Sequence, residues 1–188
     1  MKPIAVFLAL ALLTFPAAAQ EDAEAAWAAF AEPGSVALLR HALAPGTGDP
    51  ANFTLGDCTT QRNLSAEGRT QAERIGAAIR AKGIAVERVL TSQWCRCRET
   101  AALLEQAEVE DFPALNSFFA DRSTRDAQTA ELHAFLAGLP SGEKAILVTH
   151  QVNITALTGV YPASGELIVI RSGTEGAIEV LGRIPTLE

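Results

Sequence analysis

The sequence predicts an α/β fold, a three-layer α/β/α sandwich with a mostly parallel central sheet. Short, continuous apolar runs such as 36–39 and 145–148 are typical of strands that are buried on both faces. Longer segments with apolar residues at helical spacing, as in 65–82 and 124–139, separate these runs. Strands and helices that alternate in this way favour a sheet with helices packed on both of its faces.

The first residues have the pattern of a secretory signal peptide, predicted as 1–19. A positive start at Lys2 precedes an apolar stretch, 4–15, that is too short to span a bilayer comfortably. Small residues then form a cleavage site of the A-x-A type, although a retained amphipathic anchor is the alternative interpretation. We therefore expect a periplasmic or secreted protein with no membrane span after cleavage.

The remaining chain, 20–188, has the length of a single domain with one core. Without Lys2 it carries 14 basic and 22 acidic residues, a formal charge of about −8 with neutral histidines. This acidic balance argues against nucleic acid or an anionic membrane surface as the main partner. The sequence contains no internal repeat and gives no indication of an oligomeric state.

The predicted elements follow one another in the order expected of such a sandwich. Predicted helices cover 23–31, 65–82, a segment from a cap at 91–92 to about 106, 124–139 and 152–158. Predicted strands cover 36–39, 86–90, a weak one at 112–115, 144–149 and a final hairpin of 166–170 and 177–180. We expect the helix at 23–31 to lie on the surface, anchored by Trp27 and Phe30.

The segment 42–61 contains no periodic element, and a loop of this length in a compact domain is usually functional or disordered. It holds Cys58, one of three cysteines that remain after export. In an oxidising compartment we expect one disulfide, between Cys58 and either Cys95 or Cys97, with Cys95 favoured. A metal site is the competing interpretation, but three scattered histidines and these cysteines lack metal-ligand spacing, so we expect no metal and no cofactor.

Two predicted strands end in histidine, at His41 and at His150. Arg40 precedes the first histidine, and Arg96 lies near the start of the helix that follows another strand. Ligands of open α/β sheets bind at the carboxyl ends of strands, and helix N-termini attract anions. Because guanidinium groups match phosphate oxygens, the combination predicts a phosphate pocket in which one imidazole attacks phosphorus.

The chain resembles the histidine phosphatase superfamily, which includes phosphoglycerate mutases and small phosphohistidine phosphatases. The similarity rests on four stretches in the family's order, 39–42 (LRHA), 62–68 (RNLSAEG), 92–100 (SQWCRCRET) and 148–150 (VTH). Ala42 stands where the family commonly has glycine. Small exported members that resemble this chain include a phosphatase proposed for the phosphorylated lipopolysaccharide core.

The resemblance implies that His41 is the nucleophile and becomes phosphorylated. It implies that Arg40, Arg96 and His150 form the phosphate pocket, and that Arg62 reaches the same pocket or the substrate. A histidine must be neutral to attack, and arginines beside it disfavour the charged imidazolium. Water would then hydrolyse the phosphohistidine in a second step.

The proton donor is the part of this pattern that the sequence does not supply. Gln151 follows His150, where some members carry an aspartate, and the nearest carboxylate in the other expected region is Asp121. Asp121 is the candidate donor, with an ordinary loop or helix-capping role as the alternative, while Asp57 and Glu99 are weaker candidates. The third histidine, His133, has no partner motif, and we interpret it as solvated or packed.

The sequence thus predicts an exported phosphoric monoester hydrolase that acts on a small or cell-envelope phosphomonoester through a phosphohistidine intermediate. The alternative is a module on the same fold that binds phosphate or a phosphorylated ligand without turnover. The intact His41 favours the enzyme, because a binding module needs no nucleophile. No stretch of the sequence indicates which phosphomonoester is the substrate.

Overall fold

The computed structural model describes residues 17–173 and 176–187, which form one six-stranded sheet between two helical layers. The strands are β1 (Val36–Arg40), β2 (Arg88–Thr91), β3 (Val109–Asp111), β4 (Ala145–Thr149), β5 (Leu167–Ser172) and β6 (Ile178–Ile184). Their order across the sheet is β3-β2-β4-β1-β5-β6. The helices are α1 (Ala17–Ala31), α2 (Ala66–Ala81), α3 (Cys95–Leu103), α4 (Arg125–Gly138) and α5 (Gln151–Thr158).

The sheet is mostly parallel, as predicted. The pairs β1–β4, β2–β4 and β2–β3 are parallel, whereas β5 pairs antiparallel with both β1 and β6. The predicted hairpin is therefore β5–β6, and two residues of its turn, 174 and 175, lie outside the described residues. Helical crossovers join the parallel strands, and a short turn suffices for the antiparallel pair.

Alternating side chains of β1 enter the two halves of the core. Ala37 and Leu39 pack with α1, α2 and α3 on one face of the sheet. Val36 and Leu38 pack with α4 and α5 on the other face. Because both faces of the strand are buried, its sequence is continuously apolar rather than alternating, and the predicted three-layer sandwich is confirmed.

The N-terminal helix lies on the surface and is anchored by Trp27 and Phe30, as predicted, although it begins earlier, at Ala17. Ala26 and Phe30 are completely buried and Trp27 nearly so, in the same cluster as Ile184 of β6. A Cβ atom at Gly182 of β6 would overlap Ala26, so the glycine allows α1 to approach this edge of the sheet closely.

The strand predicted at 112–115 is also wrong, because β3 lies just before it and Pro113–Leu115 is a turn of 3-10 helix. Proline has no N–H to donate to a sheet ladder. Helix α3, which precedes β3, begins at Cys95 and ends at Leu103, a shorter span than predicted.

Helix α2 follows its prediction and anchors the loop that leaves β1. Ser65 caps it by accepting a hydrogen bond from the Gly68 amide. A Cβ atom at Gly68 would overlap the carbonyl oxygen of Leu43, so only glycine allows this approach. The helix is thus held against the backbone two residues beyond His41.

The predicted signal peptide falls mostly outside the described residues, which begin at residue 17. Within the described part of the chain, none of the helices is long and apolar enough to cross a membrane.

Candidate active site

The parallel pair β1–β4 brings the two strand-end histidines together. The register pairs Arg40 with Thr149, so His41 and His150 leave the same edge of the sheet. The His41 amide donates to the Thr149 carbonyl at 2.9 Å, which continues the ladder to the point where the strands part. The two imidazole rings meet edge to face, with their centroids 5.5 Å apart.

The protonation of His41 follows from its hydrogen bond. Its Nδ1 lies 2.8 Å from the carbonyl oxygen of Ala42, which can only accept, so Nδ1 carries the proton and Nε2 has a free electron pair. Burial and the positive charge of Arg96 lower the pKa of His41 to about 3. Arg62 and Arg40 act in the same direction. The imidazole is therefore neutral at physiological pH, as a nucleophile must be.

His150 is neutral in the other tautomer. Its Nδ1 lies 3.4 Å from Nη2 of Arg96, which can only donate, and its Nε2 lies 2.9 Å from the Ser92 hydroxyl. The proton therefore lies on Nε2, and Nδ1 is the acceptor. Burial holds the pKa of His150 well below its usual value, and the His41 imidazole and Arg96 guanidinium lower it further.

Three guanidinium groups surround the histidines. Arg40 donates to the Pro162 carbonyl at 2.9 Å, and Arg62 donates to the carbonyls of Gly48, at 2.8 Å, and Ala44. Arg96 is almost completely buried. In the described part of the chain, the Nε–H groups of Arg40 and Arg96 are buried donors without any acceptor. Buried donors without acceptors are rare in proteins, and here they indicate a place for an anion.

Asp49 is the site residue that the sequence did not reveal. Its carboxylate accepts from Arg96 through both oxygens, Nη1–Oδ1 at 2.7 Å and Nη2–Oδ2 at 3.2 Å. The indole N–H of Trp94 and the amide of Arg62 donate to it at 3.0 and 3.1 Å. Burial raises the pKa of Asp49, but these donors, Arg96 above all, hold it below its ordinary value. The residue lies in a loop without periodicity, so only its position shortly after His41 could have signalled it.

These side chains line a cavity of about 690 Å³. We call its buried or half-buried basic residues the floor; they are Arg40, His41, Arg62, Arg96 and His150. We call its exposed or half-buried apolar residues the entrance; they are Pro50, Ala51, Phe53, Trp94, Phe119 and Val152. The Phe53 ring stacks on Trp94 with their centroids 5.0 Å apart. The cavity therefore combines a cationic floor with a largely apolar entrance.

The carboxylates named from the sequence do not line this cavity. Asp121 is exposed and accepts from the Ser123 amide at 2.9 Å, so it takes the capping role considered as the alternative. Asp57 caps a 3-10 turn by accepting from the Thr59 amide. Glu99 pairs with Arg69 across a distance of 2.6 Å. Asp49 is the only carboxylate among the described residues that line the cavity.

The disulfide is formed by Cys58 and Cys95, the favoured pair of the two predicted. It ties the loop after β1 to the first residue of α3, beside Arg96. Cys97 is a buried free thiol, 3.5 Å from Nε2 of His150, and burial raises its pKa to about 12.

Outside the site, His133 lies 3.2 Å from the Gly176 carbonyl. Among the residues described, no three histidine, cysteine or acidic side chains are grouped as metal ligands.

A neutral imidazole with a free electron pair, surrounded by guanidinium groups, is an arrangement suited to binding a phosphoryl group. A family model described as the histidine phosphatase superfamily, branch 1, matches residues 36–121. That stretch includes Arg40, His41, Arg62 and Arg96, while His150 follows it. The family model thus supports the resemblance to the histidine phosphatase superfamily that the sequence motifs indicate.

One relative and several solved structures are similar to this chain. An uncharacterized protein of Picosynechococcus sp. is 32% identical over 122 residues, which cover 62% of this chain and 66% of the relative, just under two thirds of its length. The structure of the protein histidine phosphatase SixA complexed with tungstate has a TM-score of 0.57 at 17% identity, covering 80% of this chain and 96% of that one.

Two further structures show the same fold. YhfR of Bacillus stearothermophilus has a TM-score of 0.59 at 14% identity, covering 81% of this chain and 98% of its own. The mycobacterial glucosyl-3-phosphoglycerate phosphatase has a TM-score of 0.58 at 13% identity, covering 81% of this chain and 99% of its own. The family and the fold together support a phosphoric monoester hydrolase.

Proposed function

We propose that this protein is an exported phosphatase that hydrolyses a small or cell-envelope phosphomonoester through a phosphohistidine on His41. The observation that carries the proposal is the state of His41, a neutral imidazole whose Nδ1–H is bound to the Ala42 carbonyl. This leaves Nε2 as the nucleophilic atom in a cavity whose floor is cationic. Among the residues that the structure describes, Arg40 and Arg96 each keep a buried N–H without an acceptor, and phosphate oxygens would satisfy both.

In the first step, Nε2 of His41 attacks phosphorus while the guanidinium groups hold the equatorial oxygens. Most of the rate enhancement in phosphoryl transfer comes from positioning and from stabilising charge, which Arg40, Arg62 and Arg96 would supply. In the second step, water attacks the phosphohistidine and restores neutral His41. His150 contacts Arg96 and lies against the His41 ring, so it belongs to the same pocket.

Two observations support a small substrate and export. A cavity of about 690 Å³ has the size of sites that bind small molecules. Export rests on the pattern of residues 1–19 and is tested by expressing the full chain and sequencing the N-terminus of the mature protein. We expect that terminus at Gln20; a protein that retains Met1 in the cytoplasm contradicts export.

Catalysis is tested by comparing the protein lacking residues 1–19 with its His41→Ala variant on 4-nitrophenyl phosphate. We expect the variant to lose nearly all activity, because it retains no nucleophile. His133→Ala is the matched control, since this histidine lies outside the cavity and should leave the rate unchanged. Equal rates for the parent and His41→Ala would refute the proposal and leave the phosphate-binding module as the interpretation.

The covalent intermediate is tested separately with a His150→Ala variant and a ³²P-labelled phosphomonoester. We expect acid-labile label on the peptide that contains His41. Label on any other residue would contradict the assignment of the nucleophile.

A further inference from the structure

The carboxylate of Asp49 binds the two outer nitrogens of the Arg96 guanidinium, which could also bind phosphate oxygens. Both outer nitrogens of the guanidinium are engaged by it, at 2.7 and 3.2 Å. Carboxylates and phosphates are bound by arginine in the same bidentate geometry. A phosphoryl group that enters the cavity therefore competes with Asp49 for Arg96, or binds beside it as a second anion.

Either outcome changes the proton affinity of Asp49. In the structure, the positive charge and hydrogen bonds of Arg96 favour the charged carboxylate of Asp49. When a dianionic phosphoryl group shares or takes Arg96, the carboxylate loses part of its counter-charge and faces an anion. Both changes raise the pKa of a carboxyl group. The side chain is 15% exposed at the cavity wall, so solvent can deliver the proton.

We propose that Asp49 is the proton donor to the leaving group, and that the bound phosphoryl group itself prepares Asp49 for this role by withdrawing Arg96 from it. The proposal rests on the phosphatase function proposed above. Asp49, in the loop after β1, would then have the role for which Asp121 is the candidate from the sequence.

Hydrolysis of the ester takes place in two steps. In the first, the bond between Nε2 of His41 and phosphorus forms, the bond from phosphorus to the leaving oxygen breaks, and the Asp49 proton passes to that oxygen. In the second, the Asp49 carboxylate takes a proton from the attacking water, whose oxygen bonds to phosphorus. The electron pair of the N–P bond returns to His41, and the net reaction is hydrolysis of the ester.

Other groups at the cavity are less suited to this role. Gln151 lines the cavity at the position after His150, but an amide has no proton to give at neutral pH. The thiol of Cys97 is completely buried, and it does not line the cavity. Asp49 is also held by the Trp94 indole, which fixes the carboxylate at the wall of the cavity even when Arg96 turns to phosphate.

The test is Asp49→Asn, which keeps the shape and one acceptor but cannot supply a proton. The pre-steady-state burst of alcohol release is measured with 4-nitrophenyl phosphate and with an unactivated alkyl phosphate. We expect a loss of about 10²–10⁴-fold on the alkyl substrate, the usual contribution of general acid catalysis. The nitrophenolate leaves without a proton, so its burst should change little.

A second measurement is the binding of inorganic phosphate by calorimetry. We expect Asp49→Asn to bind phosphate more tightly than the parent, because one negative charge has been removed beside the anion. A merely structural role predicts the opposite, since an Arg96 that is no longer positioned would bind phosphate more weakly. The control is Asp111→Asn, which removes a carboxylate from a bidentate pair with Arg98 outside the cavity.

Equal losses on both esters, or weaker phosphate binding, would overturn the proposal, as would an unchanged rate on the alkyl phosphate. These results leave the phosphatase function intact as long as the parent shows turnover that depends on His41. Absence of such turnover would instead overturn the proposed function, and the role of Asp49 with it.

Discussion

Removal of the His41 imidazole should make the protein less sensitive to acid. The buried ring is surrounded by Arg40, Arg62 and Arg96, and its pKa is about 3, against about 6.5 in an unfolded chain. Between these two pH values the unfolded chain binds a proton that the folded protein excludes. Stability therefore falls as the pH drops below about 6.5, and the loss is complete near pH 3.

The size of the effect follows from the two pKa values. The linkage relation gives a loss of about 2 kcal/mol between pH 7 and pH 5 from His41 alone. Continued to pH 3, the same relation approaches about 5 kcal/mol, an order-of-magnitude figure for a group that is almost completely buried. His150 contributes in the same direction because its pKa is also lowered.

The assay is urea unfolding of the parent protein and of His41→Asn at pH 7, 6 and 5. We expect the difference in unfolding free energy between the two proteins to shift by about 2 kcal/mol across this range, in favour of the variant at low pH. His133→Asn is the control, and it should parallel the parent. Identical pH slopes for the parent and His41→Asn would refute the conclusion that the folded state keeps His41 neutral.

Three further predictions concern packing, cross-linking and anion binding. Gly68→Ala should lower the free energy of unfolding by about 1–3 kcal/mol, because the new Cβ atom would overlap a backbone carbonyl. Gly138→Ala is the control and should leave the stability unchanged, because there is open space around Gly138. Equal urea midpoints for the two variants would contradict this prediction. Replacing Cys58 and Cys95 by serine should lower the free energy of unfolding by about 4 kcal/mol, from the loop-closure entropy of the 37-residue separation. Thermal unfolding measures the effect. An unchanged melting temperature would show that the loop is held in place without the disulfide. Arg96→Lys should lose about 1.5–3 kcal/mol of phosphate affinity in calorimetry, since lysine cannot bind two oxygens at once; equal affinity would remove Arg96 from the phosphate site.

The central strands were predictable because a strand that is buried on both faces has a continuous apolar sequence. The runs of β1 and β4 are apolar at nearly every position, and the structure buries nearly all of them. The edge strand β3 has no such apolar run, because its residues Val109–Asp111 are half-buried or exposed. Its position is determined by pairing with β2, and the apolar residues that misled the prediction, at 112–115, pack as a turn instead.

The site was predictable where its residues end strands or begin helices, and unpredictable where a loop supplies them. Arg40, His41 and His150 follow buried strands, which places them at one edge of any parallel sheet; their catalytic roles stay predictions. Asp49 reaches Arg96 across 47 residues of sequence, along a path set by the disulfide and by the hydrogen bonds of Arg62 to the loop backbone. The contact between Asp49 and Arg96 depends on tertiary structure, so it cannot be predicted from the local sequence around either residue.

The position of β1 inside the sheet affects how this protein can lose its function. The strand has hydrogen-bonded partners on both edges, β4 and β5, and its apolar side chains are completely or almost completely buried. Central strands of this kind exchange their amide protons only when the whole domain unfolds, whereas edges and loops open locally. Fraying at either end of the sheet would therefore leave the backbone that carries His41 in place. The amides of β1 should be among the last to exchange with deuterium, and inactivation by heat should coincide with global unfolding.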